Sequence, residues 1–184
     1  IQIQRLIMSD LIYINARFLT QNLTGVQRHA FEISKVFTDY LKKNIILLVP
    51  KNGKIKSIYN YNFIIKKIGF NTGHIWEQID LPLYLFKNKS PLLLSFTNTT
   101  SICYKNKIST IHDLSIYENK NWFSFQYRAL YKFLTPKIIK SSKRILTDSI
   151  FSKNEIINRF HIDKDRINVI HCGISFSRDE VDQF

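Results

Sequence analysis

Residues 11–50 read LIYINARFLTQNLTGVQRHAFEISKVFTDYLKKNIILLVP, two apolar blocks with an amphipathic stretch between them. The first block, LIYIN (11–15), is apolar without alternation, as in a strand covered on both faces. A polar loop follows. Val26, Ala30, Ile33, Phe37 and Leu41 then recur at helical spacing and predict an amphipathic helix over 26–42. IILLV (45–49) is the next strand, and Pro50, which cannot donate to a sheet ladder, stops it.

The same alternation continues outward. NFIIKKI (62–68), LLLSF (92–96), ISTI (108–111), RILT (144–147) and INVI (167–170) are short apolar strand candidates. Residues 74–87 have a helical pattern that Pro82 breaks or kinks. A long helix is expected over 122–141, with Phe123, Tyr127, Leu130, Leu134 and Ile138 as its inner stripe. Thr135-Pro136 can split it, Thr135 as N-cap and Pro136 in the first helical position. SKNE (152–155) has the form of a capping box, in which Ser152 takes the Glu155 amide, and its helix ends near Phe160. Alternating strands and helices with continuous apolar strands imply an α/β chain. Its mostly parallel, doubly wound, Rossmann-like sheet has helices on both faces.

Composition narrows the function classes. The 184 residues suit one domain with a proper core, or one domain plus a fragment of a second. No apolar run approaches a membrane span, and IQIQRLI at the start lacks signal-peptide layout. Met8 opens a cleaner start, so residues 1–7 are read as a tag, a readthrough or a misjudged start. Cys103 and Cys172 make no disulfide framework, and the histidines at 29, 74, 112, 161 and 171 show no HExxH spacing, so no metal site is expected. A reducing cytoplasm is the simplest home. With 27 Lys and Arg against 14 acidic residues, the net charge is +13. Either a functional basic face or compositional drift in an Ile- and Asn-rich chain explains it. Nucleic acid would be attracted by charge alone, but no zinc finger, RNP-type strand or helix-turn-helix supports a specific interaction.

Ligands of such sheets bind beyond the carboxyl ends of the strands. Four loops qualify. ARFLTQNLTG leads to Gly25 at a helix start, where backbone amides can hold a phosphate, although no GxGxxG or GxxxxGKS/T occurs. His112-Asp113 follows a strand; a His there can orient or move a proton or donate to a charged oxygen, and the Asp can orient it or cap a loop. FTNTTS (96–101) and TDSIFSK (147–153), with Ser149 at the strand exit, complete the set. Asp163-Lys-Asp165 resembles a DxD metal signature but precedes a strand, on the wrong side of the sheet.

The ordered set IYINARFL…TGVQRHAFEI, ISTIHDLSIY and RILTDSIFSKNEIINRFHIDKDRINVIHCGIS resembles the N-terminal half of a family 4 glycosyltransferase of the GT-B type. The shared pattern is a loop to Gly-Val/Ile-x-Arg, a His-Asp after a strand, a TxSxFSK turn and a late VIxNG; WEQIDLPL (76–83) also fits. The resemblance implies a retaining hexosyltransferase that takes sugar from a nucleotide-sugar, with no cofactor and no essential metal. Gly25, Val26 and Arg28 would lie against the donor phosphates or transferred sugar. His112 would face the reacting sugar with Asp113 beside it, and Ser149 would line the same cleft. CGIS (172–175) departs from the usual NG-containing turn, and no E-x7-E pair occurs among Glu32, Glu77, Glu118, Glu155 and Glu180. The expected organisation is an acceptor-side domain over 8–171 and the start of an interdomain linker over 172–184, the donor domain being absent.

The chain alone is then expected to be inactive, its acceptor being a saccharide or lipid-linked saccharide of lipopolysaccharide or capsule synthesis. The alternative is a basic module without catalysis. In that case Arg128, Lys132, Lys137 and Lys140, among aromatics, dock an anionic membrane surface, or the chain partners another in a split enzyme.

Overall fold

A computed structural model describes residues 11–41, 44–118 and 122–173. The expected leader over 1–7, Met8, Lys42 and the linker from residue 174 onward lie outside these residues. The elements are β1 (Ile12–Asn15), α1 (Gly25–Leu41), β2 (Ile45–Pro50), β3 (Ile65–Ile68), α2 (Gly73–Gln78), α3 (Asp80–Lys87), β4 (Leu92–Ser95) and β5 (Lys107–Thr110), followed by α4 (Ser115–Glu118), α5 (Phe125–Ser141), β6 (Arg144–Thr147), α6 (Ile150–Phe160) and β7 (Ile167–Val169).

Among the described residues the strands form one seven-stranded sheet in the order β3-β2-β1-β4-β5-β6-β7, every pairing parallel. The fold is therefore doubly wound α/β, with the strand order reversing between β1 and β4. Alternation along β1 shows both faces covered. Ile12 and Ile14 join a core with Leu47, Phe96 and Ala30 of α1. Tyr13 between them joins the opposite core, with Leu48, Leu93, Trp76 of α2 and Leu81 and Leu85 of α3. A third cluster packs α5 and α6 through Leu134, Ile138 and Ile156 onto Ile145 and Ile167. Trp76 also donates its indole N–H to the Ile68 carbonyl at 2.9 Å, so its one polar atom is satisfied in the interior.

Several elements differ from the sequence expectation. The helix expected over 74–87 breaks at Ile79, not at Pro82; Pro82 lies in the first turn of α3, where a missing amide costs little. Gly69 packs against Asp80 at the start of α3. Its φ of +70° turns the chain, and a Cβ there would lie 2.3 Å from that of Asp80. Helix α5 runs unbroken through Pro136, so Thr135 is a buried interior residue and the true N-cap is Ser124. Buried Leu134, Thr135, Ile138 and Ile139 on both sides of the proline hold the helix against its core, offsetting a propensity cost of about 3 kcal/mol. Only the C-terminal part of the expected stripe is core, because Tyr127 is exposed. In α6 the cap is Ser149, whose hydroxyl accepts the Ser152 amide at 3.0 Å, one turn before the expected Ser152–Glu155 box. Asp163 caps a 3-10 turn before β7 by accepting the Asp165 amide at 2.9 Å.

Lys107, at the amino end of β5, is fully buried. Its ammonium donates to the Tyr104 carbonyl and to the Ser141 hydroxyl, each at 2.6 Å. Burial pushes it down to about 7, the nearby Cys103 opposing only weakly. No helix among the described residues is long and apolar enough to cross a membrane.

Candidate active site

The reversal between β1 and β4 opens a crevice at the carboxyl edge, where the connections leave in opposite directions. Two polar constellations are built there. The first centres on His112, which is only 6% exposed. Asn98 Oδ1 accepts its backbone amide at 2.8 Å, so the loop after β4 fixes the loop after β5. Its ring has partners on both sides: Nε2 lies 3.1 Å from the Phe96 carbonyl oxygen and Nδ1 lies 2.7 Å from Asp148 Oδ2. A carbonyl oxygen only accepts, so the Nε2 hydrogen is committed to Phe96.

His29 from α1 stands edge-to-face on His112, ring centroids 4.8 Å apart. The Cys172 thiol closes the group 3.5 Å from His29 Nδ1. Burial, then the neighbouring His112, lowers His29 below the usual imidazole value. Burial pushes the Asp148 carboxyl up, but hydrogen bonding and charge from His112, with His29 and Cys172 adding, bring it net below the usual range. Burial and the Asp148 carboxylate push the Cys172 thiol up.

The second constellation lies under β1 and β4. Glu77 of α2 is fully buried and accepts from Asn15 Nδ2 at 2.9 Å and Thr99 Oγ1 at 3.2 Å. Arg17 Nε lies 3.1 Å from Glu77 Oε1 as a charge contact without hydrogen-bond alignment, while Arg17 Nη2 donates to Thr99 Oγ1 at 3.1 Å. His74 Nδ1 sits 3.1 Å from Glu77 Oε2. Burial alone would raise the Glu77 carboxyl, but Arg17, His74 and Asn15 outweigh it and hold it at about 2. The group ties the β1 exit, the β4 loop and α2 into one rigid floor.

Between the two lies a cleft of about 160 Å³, bounded by Val26, Asn98, Asp113, Ser115, Tyr127 and Tyr131, among others. Phe123, Tyr127 and Tyr131 stack along one wall, with centroid separations of 5.4 and 4.1 Å. Tyr131 meets His74 edge-on at 5.9 Å. A more open hollow over Glu155, Asn158 and Arg159 lies on α6 alone and has no converging groups.

Of the residues singled out in the sequence, Val26 and Asp113 line the cleft, and His112, buried, precedes Asp113 in the chain. Asp113 accepts from the Ser115 amide and hydroxyl, at 2.9 and 2.6 Å, and so caps α4. Gly25 opens α1 at the same edge; a Cβ there would meet nothing within 4 Å. Arg28 is exposed one turn further on. Ser149, beside Asp148, spends its hydroxyl on the Ser152 amide and hydroxyl. Lys132, Lys137 and Lys140 are exposed along α5, Lys137 lying 3.6 Å over the Phe133 ring, whereas Arg128 is half-buried at the margin.

The partners that define the site were not singled out from sequence. Asp148 sits inside the TDSIFSK segment, His29 inside TGVQRHAFEI, Cys172 at the start of CGIS, Asn15 and Arg17 inside IYINARFL and Glu77 inside WEQIDLPL, but none was given a role there. Asp148 directly after an apolar strand is the one local signal that could have found its role.

No family model matches the chain. It is similar to the O-antigen chain mannosyltransferase RfbU of Salmonella typhimurium, 25% identical over 172 residues covering 88% of this chain and 44% of that protein. The chain thus spans less than half the length of that curated relative.

Proposed function

We propose that the chain is the acceptor-side half of a glycosyltransferase of surface polysaccharide synthesis, of the retaining, metal-independent GT-B family 4 type. The observation that carries this is the crevice at the β1/β4 reversal, where Val26 of α1 and Asp113 after β5, from two distant segments, line one cleft, with His112 next to Asp113 in the chain. The likeness to a mannosyltransferase over most of the chain supports the same class. Transfer breaks the bond between the anomeric carbon and the donor phosphate, which leaves with the electron pair. The acceptor hydroxyl oxygen forms the new anomeric bond and gives its proton to phosphate or water.

In this proposal the acceptor saccharide enters between Asp113 and the Tyr127–Tyr131 wall, and Asp113 orients its hydroxyl. His112, clamped by Phe96 and Asp148, is a fixed polar floor under the sugar. Gly25, Val26 and Arg28 face the donor's sugar and phosphates, and Ser149 closes the rim. The nucleotide is held by a segment or partner chain beyond these residues, and the enzyme works in the cytoplasm at the inner membrane face.

Two measurements test the proposal. The isolated chain is expected to turn over no nucleotide-sugar, and robust transfer by it overturns the half-site assignment. Saturation-transfer NMR with mannose-containing oligosaccharides is expected to show contact that Tyr131→Ala and Asp113→Ala weaken. Absence of any saccharide contact removes the acceptor assignment.

A second proposal, membrane docking by α5, is favoured by its outer face. Phe125 is 83% exposed and Phe133 54%, with Trp122 just before the helix 71% exposed, among Lys132, Lys137 and Lys140. Flotation with anionic vesicles should show binding at low salt that fades at high salt. No binding at low salt ends it.

A further inference from the structure

The His112 cluster has the donors of a metal centre. We propose that His29, His112, Asp148 and Cys172 bind a divalent transition-metal ion, Zn²⁺ being the ion that best matches two imidazoles, a thiolate and a carboxylate. Calcium and magnesium are poor fits, since both want a shell of oxygens.

The orientation of His112 is the first reason. Its Nε2–H is committed to the Phe96 carbonyl, so in the neutral ring the Nδ1 lone pair points at Asp148 Oδ2, 2.7 Å away. At that distance a proton lies between them, and a metal can take the proton's place once the pair opens. An imidazole that donates one N–H to a backbone carbonyl and presents its other nitrogen forward is the usual posture of a metal ligand.

Asp148 supplies the second reason: Oδ1 is buried and has no hydrogen-bond partner among the described residues. The third is distance. One donor atom from each of His29, His112 and Asp148 lies within 4.8 Å of the others. Cys172 Sγ is 3.5 Å from His29 Nδ1. Cys172 is not part of that three-residue group, so its exposed side chain must turn inward to become the fourth ligand, for which a tetrahedral N–S edge is about 3.6 Å. The His112–Asp148 pair must open by about 0.6 Å to reach a tetrahedral N–O edge. The carboxylate is partly exposed and can rotate to allow this.

The fourth donor is held by its own tether. The Ile170 amide donates to the Thr147 carbonyl at 2.8 Å, and His171 Nδ1 lies 3.0 Å from the Asp148 carbonyl, which delivers Cys172 to the cluster. The donors come from α1 and from the exits of β5, β6 and β7, so no sequence spacing announces them. The site shares His112 with the sugar-transfer proposal, but its test needs neither sugar nor nucleotide. An ion here occupies the His112 imidazole, so the filled site is a resting form of the crevice.

Titration of the chain with Co²⁺ tests the site by absorbance alone. Wild type should develop tetrahedral-intensity d–d bands and a thiolate-to-cobalt charge-transfer band, saturating at one equivalent and bleached by Zn²⁺. Cys172→Ser should abolish the charge-transfer band and weaken Co²⁺ binding by at least about tenfold, with His29→Asn weakening it comparably. Cys103→Ser, which removes the other thiol, should change neither. Cys172 is exposed, so its serine variant keeps the fold, and far-UV circular dichroism checks this. Wild type without d–d bands overturns the site, and so does an unchanged charge-transfer band in Cys172→Ser.

Discussion

Glu77→Gln removes one charge from a buried pair while keeping the shape of the side chain. Arg17, itself 8% exposed, is then left in the interior without its counter-charge. Breaking such a pair from one side costs about 3–5 kcal/mol. An independent route gives a similar figure. Bringing Glu77 from 4.5 to about 2 corresponds to about 3 kcal/mol of stability. The sign follows from the direction: a carboxyl depressed in the fold contributes its full stability above about pH 4.5, and the contribution fades as pH falls toward 2. Urea unfolding of wild type and variant should therefore differ by about 3 kcal/mol at pH 7, a midpoint displacement of roughly 1–3 M. The gap should narrow steadily between pH 5 and 3. A gap under about 1 kcal/mol, or one that is the same at pH 3 and pH 7, refutes the account of Glu77 as the ionised floor of the crevice.

Other perturbations read other parts of the molecule. Lys107 is depressed to about 7 in the fold, so the unfolded chain binds more protons above that pH and stability should rise from pH 7 toward 10. Relative to Lys107→Met, wild type should gain up to about 1.4 kcal/mol per pH unit in chemical denaturation, and parallel curves would contradict a neutral buried amine. Ser149→Ala should cost about 1 kcal/mol through loss of the α6 cap, while Glu155→Ala should cost under about 0.5 kcal/mol; the reverse order would restore the capping box at Ser152. Trp76→Phe should cost about 2–4 kcal/mol, from a cavity and a stranded Ile68 carbonyl, and a near-neutral result would mean that the α2 contact is not part of the core.

The parts of the fold that depend on local pattern were legible. β1 and β2 are continuous apolar runs because both of their faces are covered, β6 is buried at Ile145 and Thr147 although Arg144 is exposed, and α1 shows its stripe because one face meets solvent. NFIIKKI over-reads its strand because β3 is an edge: of IKKI only Ile68 is buried, so apolar content and pairing part company. Pro136 misleads because packing of the flanking turns outweighs one missing amide. Ser152 misleads because Ser149, three residues earlier, meets the same amide geometry first. At the site, His112 was legible as a polar residue where an apolar strand ends. Asp148 was not, since the pairing joins positions 36 apart in the chain through a parallel neighbour strand. Arg17 and Glu77 are 60 residues apart, and nothing periodic relates them.

The central position of β1 has a consequence for synthesis. Its partners are β2, which follows shortly, and β4, whose register pairs Ile12 with Leu92. At translation rates of roughly 5–20 residues per second, about 4–16 s separate the emergence of those two strands. Throughout that interval one flank of β1 is an open hydrogen-bonding template on the nascent chain. The second half of the crevice, from β5 onward, can only be laid down after that flank has closed. Assembly order and site order therefore run in the same direction, and slow codons just after β4 would favour correct docking, whereas slow codons just before it would prolong the hazard.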